Sequence, residues 1–427
     1  MKSGLIDAIG VALAGWDEPV ARTVFRHAEN VYRGGSSFVI GSDASLAPMG
    51  AALVNGVLVH ALDFDDTTWS YIGHPSAVLL PAALALAEPK HASGSELITA
   101  YAAGFEVASR VGCRVVDVSE TRGWHLTSVV GIFGAAAAAG KLLGLTGCTL
   151  SHAFGLAASA AAGLKANFGW MAKPLHAGMA ARNGVEAALF ADAGVTASPD
   201  VFDHPLGFFR AFANREIESD LANGSLAIIT DGIAFKQYPS CTGSHPVVEG
   251  ALELRRDYDI RSKDVEHVMC GVTPEVPAEL LYPIPEGPSQ ARFSMNFAVA
   301  VAIVEGQLKL EHFSTEVLSR PAIRELMECC ETVVDPALVR PTGVRAPSGS
   351  IRIQLAGGKT VSSRVDSAKG NPGNPLSRQD VLDKFESCAV RRLRDSSRVE
   401  SLADALLDLE NVADIADLST LAKARPR

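Results

Sequence analysis

Residues 62–75 read LDFDDTTWSYIGHP and bring three carboxylates, a hydroxyl and an imidazole into one short run: Asp63, Asp65, Asp66, Thr67 and His74. Carboxylates this close repel one another unless each is solvated, paired or hydrogen-bonded. The flanks are apolar, VLVHAL before and AVLLPAALAL after, so the cluster stands at the end of an element and faces something. One reading is a capped helix end with a solvated acidic loop. Another is a site in which Asp63 and Thr67 orient a substrate beside His74, whose imidazole can give or take a proton near neutral pH.

Two further readings use the same letters. Asp63, Asp65 and Thr67 fit the Asp-x-Asp-x-Thr nucleophile loop of haloacid-dehalogenase-type phosphatases. That chemistry needs a buried strand and an open α/β sheet, whereas the flanks here read as helices. A magnesium-binding aspartate cluster of a helical terpene synthase needs a second acidic metal motif, and none is visible.

Other candidate groups sit in turns marked by Gly, Trp or Pro. His125 lies in TRGWHLTS, Lys173 and His176 in NFGWMAKPLHAGMAARNG, and Lys236 and His245 in AFKQYPSCTGSHPVVEG. A single His or Lys of this kind is more often structural or exposed than catalytic. Lys173 alone reads equally as a solvated cation, and His176 and His245 as helix caps. Their joint occurrence carries the interest.

The elements that must position these groups are mostly helices. From the start to about Phe235, Ala- and Leu-rich stretches such as AALVNGVLVHAL, HPSAVLLPAALALAE, SELITAYAAGFEVASRV and NGVEAALFADAGV alternate with short polar or Gly/Pro breaks. Their length and lack of β-branched alternation predict helices. The texture changes near Lys236. VEHVMCGVTPEV alternates like a strand, and SIRIQLAGGKTVSSRVD reads as a hairpin with a Gly-Gly turn. ARFSMNFAVAVAIVEGQL and RPAIRELMECCETV between them read as helices. KGNPGNPLS then forms a link, after which SRQDVLDKFESCAVRRL and ESLADALLDLENVADI return to helical patterning. The expected architecture is mainly α: a helical domain over 1–235, a smaller α+β lid domain over 236–371, and C-terminal helices over 372–427 returning to the helical domain. Such an insertion would leave a cleft between domains, a common place for ligands.

Composition narrows the partners. Of the 427 residues, 48% are hydrophobic and 20% charged, enough for a large core. A net charge of -10 argues against a nucleic-acid partner, which needs a basic stripe. It leaves room for a small anionic substrate, because one or two local Lys or His residues reverse the sign within a pocket. Seven cysteines, an odd count without CxxC spacing, read as reduced thiols and weaken structural zinc or an iron–sulfur cluster. The apolar start, MKSGLIDAIGVALAGWDEP, contains Asp7 and lacks a cleavage region, so it reads as a core helix. VVGIFGAAAAAGKLLGL is interrupted by Gly131, Gly134 and Lys141 and reads as short of the roughly 18 to 20 apolar residues of a membrane span. The expected location is the cytoplasm.

Taken together, LIDAIGVALAG, HALDFDDTTWSYIGHPSAVLLPAALALAE, GWHLTSVVGIFGAAAAAGKLLGL, GLKANFGWMAKPLHAGMAARNGVEAALFADAG and FKQYPSCTGSHPVVEGALEL resemble the MmgE/PrpD family. They occur in that family's order over most of the first 255 residues, and FSMNFAVAVAIVEG adds a later match. The family includes 2-methylcitrate dehydratases, cis-aconitate decarboxylases and an iminodisuccinate epimerase. The resemblance implies a large helical domain, an α+β lid, a homodimer, and catalysis with neither metal nor organic cofactor. Carried over residue by residue, it implies a catalytic set of Asp63, His74, His125, Lys173 and Lys236, with Thr67 and His245 binding substrate. In that reading the lysines hold substrate carboxylates and stabilise developing charge. His74 and His125 form the acid/base pair, Asp63 hydrogen-bonds a histidine or a substrate hydroxyl, and Thr67 positions a carboxylate.

The expected reaction is proton transfer next to a carboxylate of a small di- or tricarboxylate. Dehydration of the 2-methylcitrate type ranks first, and decarboxylation and epimerisation are the alternatives. A non-catalytic metabolite-binding protein is a remote one. Two departures from the family pattern stand out. By that resemblance, the chain is expected to start midway through the family's first conserved helix, which would bear on stability or dimer packing. The spacer TWSYIG before His74 is also slightly longer than in the decarboxylases.

Overall fold

The computed structural model describes residues 1–117, 122–214, 224–338 and 346–424. The chain forms two compact units. The first comprises 1–165, 174–235 and 377–427, and the second 166–173 and 236–376.

The first unit is centred on helices whose residues are mostly apolar. Helix α1 (Lys2–Gly15), α2 (Pro48–His60) and α3 (Ser76–Ala87) are buried along most of their lengths, α4 (Gly94–Gly112) is buried on one face, and α5 (Gly131–Leu143) is again buried over most of its length. Helices apolar all round pack as the interior of a multi-helix body. Small residues let them approach. Gly56 of α2 faces Gly178 of α6 (Ala172–Asp192), and a Cβ on Gly56 would fall 2.7 Å from the Gly178 Cα. Leu126–Leu143 reaches the length and apolarity of a membrane span after all, with 83% of that window buried inside the protein, as in a core helix. Asp7, the one acid in α1, is satisfied by an ion pair of 2.7 Å with Lys384. A ribbon of two-residue antiparallel strands, Ser37–Phe38 and Ser45–Leu46, interrupts the otherwise helical pattern.

The second unit holds a four-stranded sheet: β1 (Val265–Val272), β2 (Cys330–Val334), β3 (Gly349–Leu355) and β4 (Thr360–Val365), in the order β2-β1-β3-β4. β3 and β4 form the hairpin read from the sequence, and its turn residues Gly357 and Gly358 have φ of +88° and +85°, which glycine adopts without strain. One expectation fails. RPAIRELMECCETV is not a single helix: α9 (Pro321–Glu328) ends, and Cys330–Val334 runs as a strand parallel to β1. The β-branched Thr332, Val333 and Val334 suit that pleated edge, and pairing with Val268–Val272 outweighs the helical start. Helices α7 (His245–Tyr258) and α8 (Met295–Glu305) supply apolar side chains to the core that includes Val268, Val272, Ile351 and Ile353.

The C-terminal return begins with α10 (Arg378–Leu393), started by a capping box in which Ser377 and Asp380 satisfy each other's backbone N–H groups. This helix packs against α1 and carries Lys384.

Candidate active site

The aspartate run lies in the loop between α2 and α3. Its backbone is held from the far end of the chain. Lys384 donates to the Phe64 carbonyl at 2.7 Å, and its ammonium lies 3.9 Å from the centroid of the Phe64 ring. Asp63 has φ of +50°, a conformation Asp tolerates better than most residues.

The three aspartates have separate surroundings, which resolves their repulsion. Asp66 turns to the start of α3 and accepts from the Ser76 N–H at 3.1 Å and from the Ser76 hydroxyl. Ser76 in turn shares a 2.7 Å hydrogen bond with the Tyr101 hydroxyl. Burial pushes the Asp66 carboxyl well above its ordinary range. Asp65 is equally buried, which pushes it up, but the His60 and His74 imidazoles outweigh burial and hold it well below that range. One oxygen of Asp65 lies 2.9 Å from His60 Nδ1 and 3.1 Å from His74 Nδ1. Asp63 lies 3.9 Å from the other nitrogen of His74. The candidate loop is therefore a buried fork, not a solvated helix end.

Ligand atoms of His60, Asp63, Asp65 and His74 all fall within 4.8 Å of one another. This is the set among the described residues placed to take a cation. Yet the two contacts to Asp65, 2.9 and 3.1 Å, are hydrogen-bond lengths. A tetrahedral zinc site with bonds of about 2.0–2.1 Å would space its ligand atoms about 3.3 Å apart. The arrangement matches a hydrogen-bonded network better than a coordination sphere.

The spacer before His74 closes on itself. Thr68 and Gly73 pair through both backbone bonds, Ser70 donates to Asp231 at 2.6 Å, and Tyr71 is wholly buried. Ile72 has φ of +52°, a strained conformation for a β-branched residue. The His74 N–H donates to the Thr127 hydroxyl at 3.1 Å, tying the end of the spacer to the segment that begins at His125.

His125 precedes the short helix Leu126–Val129, and its N–H donates to the Gly163 carbonyl at 3.0 Å. Its Nδ1 lies 3.1 Å from the Nδ1 of His176, on α6. The His60 ring stands 4.4 Å from that of His74 and 5.9 Å from that of His125. Asp63, His74 and His125, all candidates from the sequence, are thus brought together through His60. Thr67 pairs with Ala234 through backbone bonds of 2.8 and 2.7 Å. Its hydroxyl is buried with no hydrogen-bond partner among the described residues.

The second unit holds the other three candidates. Lys173 is buried, with its ammonium 5.0 Å from the Phe168 ring centroid and 4.8 Å from that of Phe293. Lys236 is only 1% exposed. His245 begins α7, with Nε2 3.2 Å from the Ser240 carbonyl and its ring edge-on to Tyr238. Neither lysine is a solvated surface cation.

Two residues of this cluster have no catalytic assignment from the sequence: His60, and His176 beyond its place as a helix cap. Each had a faint signal. His60 is a polar residue ending a long apolar helix, five positions before Asp65, and His176 follows Lys173 by one helical turn.

The chain matches the MmgE/PrpD N-terminal domain over residues 1–219 and the MmgE/PrpD C-terminal domain over residues 238–409. It belongs to the MmgE/PrpD family. It is 31% identical to human cis-aconitate decarboxylase over 436 residues, covering 99% of this chain and 89% of that protein. Identity to the mouse cis-aconitate decarboxylase is 32%, covering 99% and 88%. The cis-aconitate decarboxylase of Aspergillus terreus (strain NIH 2624 / FGSC A1156) is 29% identical, covering 98% and 90%.

Proposed function

We propose that this protein is a decarboxylase of cis-aconitate or a closely related unsaturated tricarboxylate. A lyase of the MmgE/PrpD type is the coarser statement, and the comparisons support it directly. The observation that carries the finer reading is end-to-end similarity to cis-aconitate decarboxylases, in a chain whose Asp63, His74 and His125 share one buried cluster. The similarity supports decarboxylation better than the dehydration ranked first from the sequence.

The chemistry asks for a proton donor and for cations. Cis-aconitate carries carboxylates on three carbons in a row, two of them joined by a double bond. When the saturated carbon loses carbon dioxide, the electron pair of the broken C–C bond forms a new double bond. The pair of the old double bond then takes a proton at its outer carbon. An imidazolium suits that delivery near neutral pH, and His74 and His125 are the candidates. Asp63 orients His74. Lys173 and Lys236 hold carboxylates, with burial strengthening their charge interactions. Thr67 and His245 complete the binding set. We read the protein further as a cytoplasmic homodimer that needs no cofactor.

The test is a substrate panel. The protein is incubated separately with cis-aconitate, 2-methylcitrate and iminodisuccinate, and products are followed by NMR with carbon dioxide measured in parallel. Carbon dioxide release from cis-aconitate alone supports the reading. Loss of water from 2-methylcitrate without decarboxylation of cis-aconitate would replace it with the dehydratase, and inversion of iminodisuccinate would replace it with the epimerase.

A further inference from the structure

We propose that His176 is the positioning residue of His125, fixing which nitrogen of His125 carries the exchangeable proton and limiting the two rings to one positive charge. The inference rests on the reading of His125 as an acid/base group. It goes beyond that reading by naming the partner that sets its protonation.

The two Nδ1 atoms lie 3.1 Å apart. An imidazole nitrogen either carries a hydrogen or offers a lone pair. Two lone pairs facing each other at this distance repel, and so do two N–H groups. The contact is attractive only when one ring donates and the other accepts, so the pair holds one proton between its two Nδ1 atoms. If His125 is the cation, its Nδ1–H donates to a neutral His176 protonated on Nε2. The catalytic proton then leaves from His125 Nε2, and the Nδ1 proton stays in the shared bond. Cations on both rings would set two N–H groups against each other, so the second proton is refused.

The surroundings hold this geometry. The His125 backbone is tied to Gly163 by its N–H, and Gly163 adopts φ of +143°. A side chain at Gly163 would meet Ser128 Cβ at 3.0 Å and His176 Cγ at 3.6 Å, so the lack of one lets the backbone lie against the ring. The Gly56–Gly178 approach sets α6 close to α2, and Gly178 is two residues beyond His176. Among the described residues, the rings of His176 and His60 both lie beside His125, the latter near-parallel at an interplanar angle of 21°. His74, in turn, has Asp63 and Asp65 on its two nitrogens. The two acid/base candidates are built differently. His74 is backed by carboxylates that favour its cation, and His125 is backed by a neutral ring able to hand a proton back.

The experiment uses the full chain with ¹⁵N-labelled histidine, comparing wild type with His176→Asn and His176→Ala. Asn places a donor or acceptor near the lost Nδ1, and Ala places none. In wild type, the His125 and His176 signals are expected to titrate together, with one Nδ1 proton shared. In His176→Ala, His125 should lose the coupled titration and shift its tautomer balance. Turnover of cis-aconitate should fall about 10- to 100-fold in kcat with KM nearly unchanged. His176→Asn should recover most of that loss. His125 tautomer and titration in His176→Ala superimposable on wild type would overturn the proposal, as would a change in KM alone. The NMR titration stands whether or not cis-aconitate is the substrate. If the Ala variant fails to fold, the Asn variant carries the test, because it should abolish the coupled titration while keeping the tautomer.

Discussion

Lys384 donates to the carbonyl of Phe64 at 2.7 Å while pairing with the buried carboxylate of Asp7. One ammonium thereby ties the C-terminal helix α10 to the loop that holds Asp63 and Asp65, and ties both to α1.

Removing that ammonium leaves Asp7 charged in the core. Breaking a buried pair by deleting one partner costs about 3–5 kcal/mol, whereas replacing both partners with apolar groups can be neutral. Lys384→Met is expected to lower stability by about that amount in urea unfolding. The double variant Asp7→Leu with Lys384→Met is expected to regain most of it. Turnover should stay depressed in the double variant, because the Phe64 carbonyl has lost its donor. Full recovery of both would show that Lys384 serves stability alone.

Asp65 and Asp66 should respond oppositely to conversion to Asn. Asp65 titrates below its ordinary value in the folded protein. Its charge therefore stabilises the fold above the unfolded value of about 3.9, and that contribution is lost as pH falls through the folded value. Asp65→Asn should be destabilising at pH 7 and should lower kcat about 100-fold or more, because His60 and His74 lose the negative charge of their common acceptor. Asp66 titrates above its ordinary value. Its contribution is present below about pH 3.9 and is lost as pH rises through the folded value. Asp66→Asn should be neutral or stabilising at pH 8, with less gain at pH 4. Melting temperatures from pH 4 to 9 check both signs, and equal losses in the two variants would contradict the division of labour.

The spacer offers a smaller test. The Tyr71 hydroxyl is buried with no hydrogen-bond partner among the described residues. An unsatisfied buried polar group costs about 1–3 kcal/mol. Tyr71→Phe is therefore expected to raise the melting temperature with turnover unchanged. A fall in melting temperature, or a rise in KM, would mean that the hydroxyl has a partner in the working enzyme.

For the lysines, loss of charge should matter more than loss of volume. Lys173→Met and Lys236→Met are each expected to lower kcat/KM by 100-fold or more, since a buried cation facing a carboxylate contributes several kcal/mol. Near-UV circular dichroism should stay unchanged. Activity within threefold of wild type in either variant would remove that lysine from the set.

Legibility in the sequence followed the range of the interactions. The β3–β4 hairpin could be read because alternation and the Gly357–Gly358 turn are local. The strand Cys330–Val334 could not, because it follows a helix within the same segment and its partner, Val268–Val272, lies some sixty residues earlier. Asp63, His74 and His125 stood out through family resemblance, and the structure gathers them. His60 and His176 were hidden because little in their own helices marks them, and only the fold brings them to Asp65 and His125. Lys384 had no local signal, being 320 positions from the carbonyl it holds.

Decarboxylation with a proton delivered by the histidine cluster can be followed in turnover of cis-aconitate in heavy water, with the product analysed by NMR and mass spectrometry. The expected result is one carbon dioxide per product and one deuterium at the outer carbon of the former double bond, with both lost in His125→Ala. A product that keeps all three carboxylates, whether hydrated or isomerised, would contradict the account.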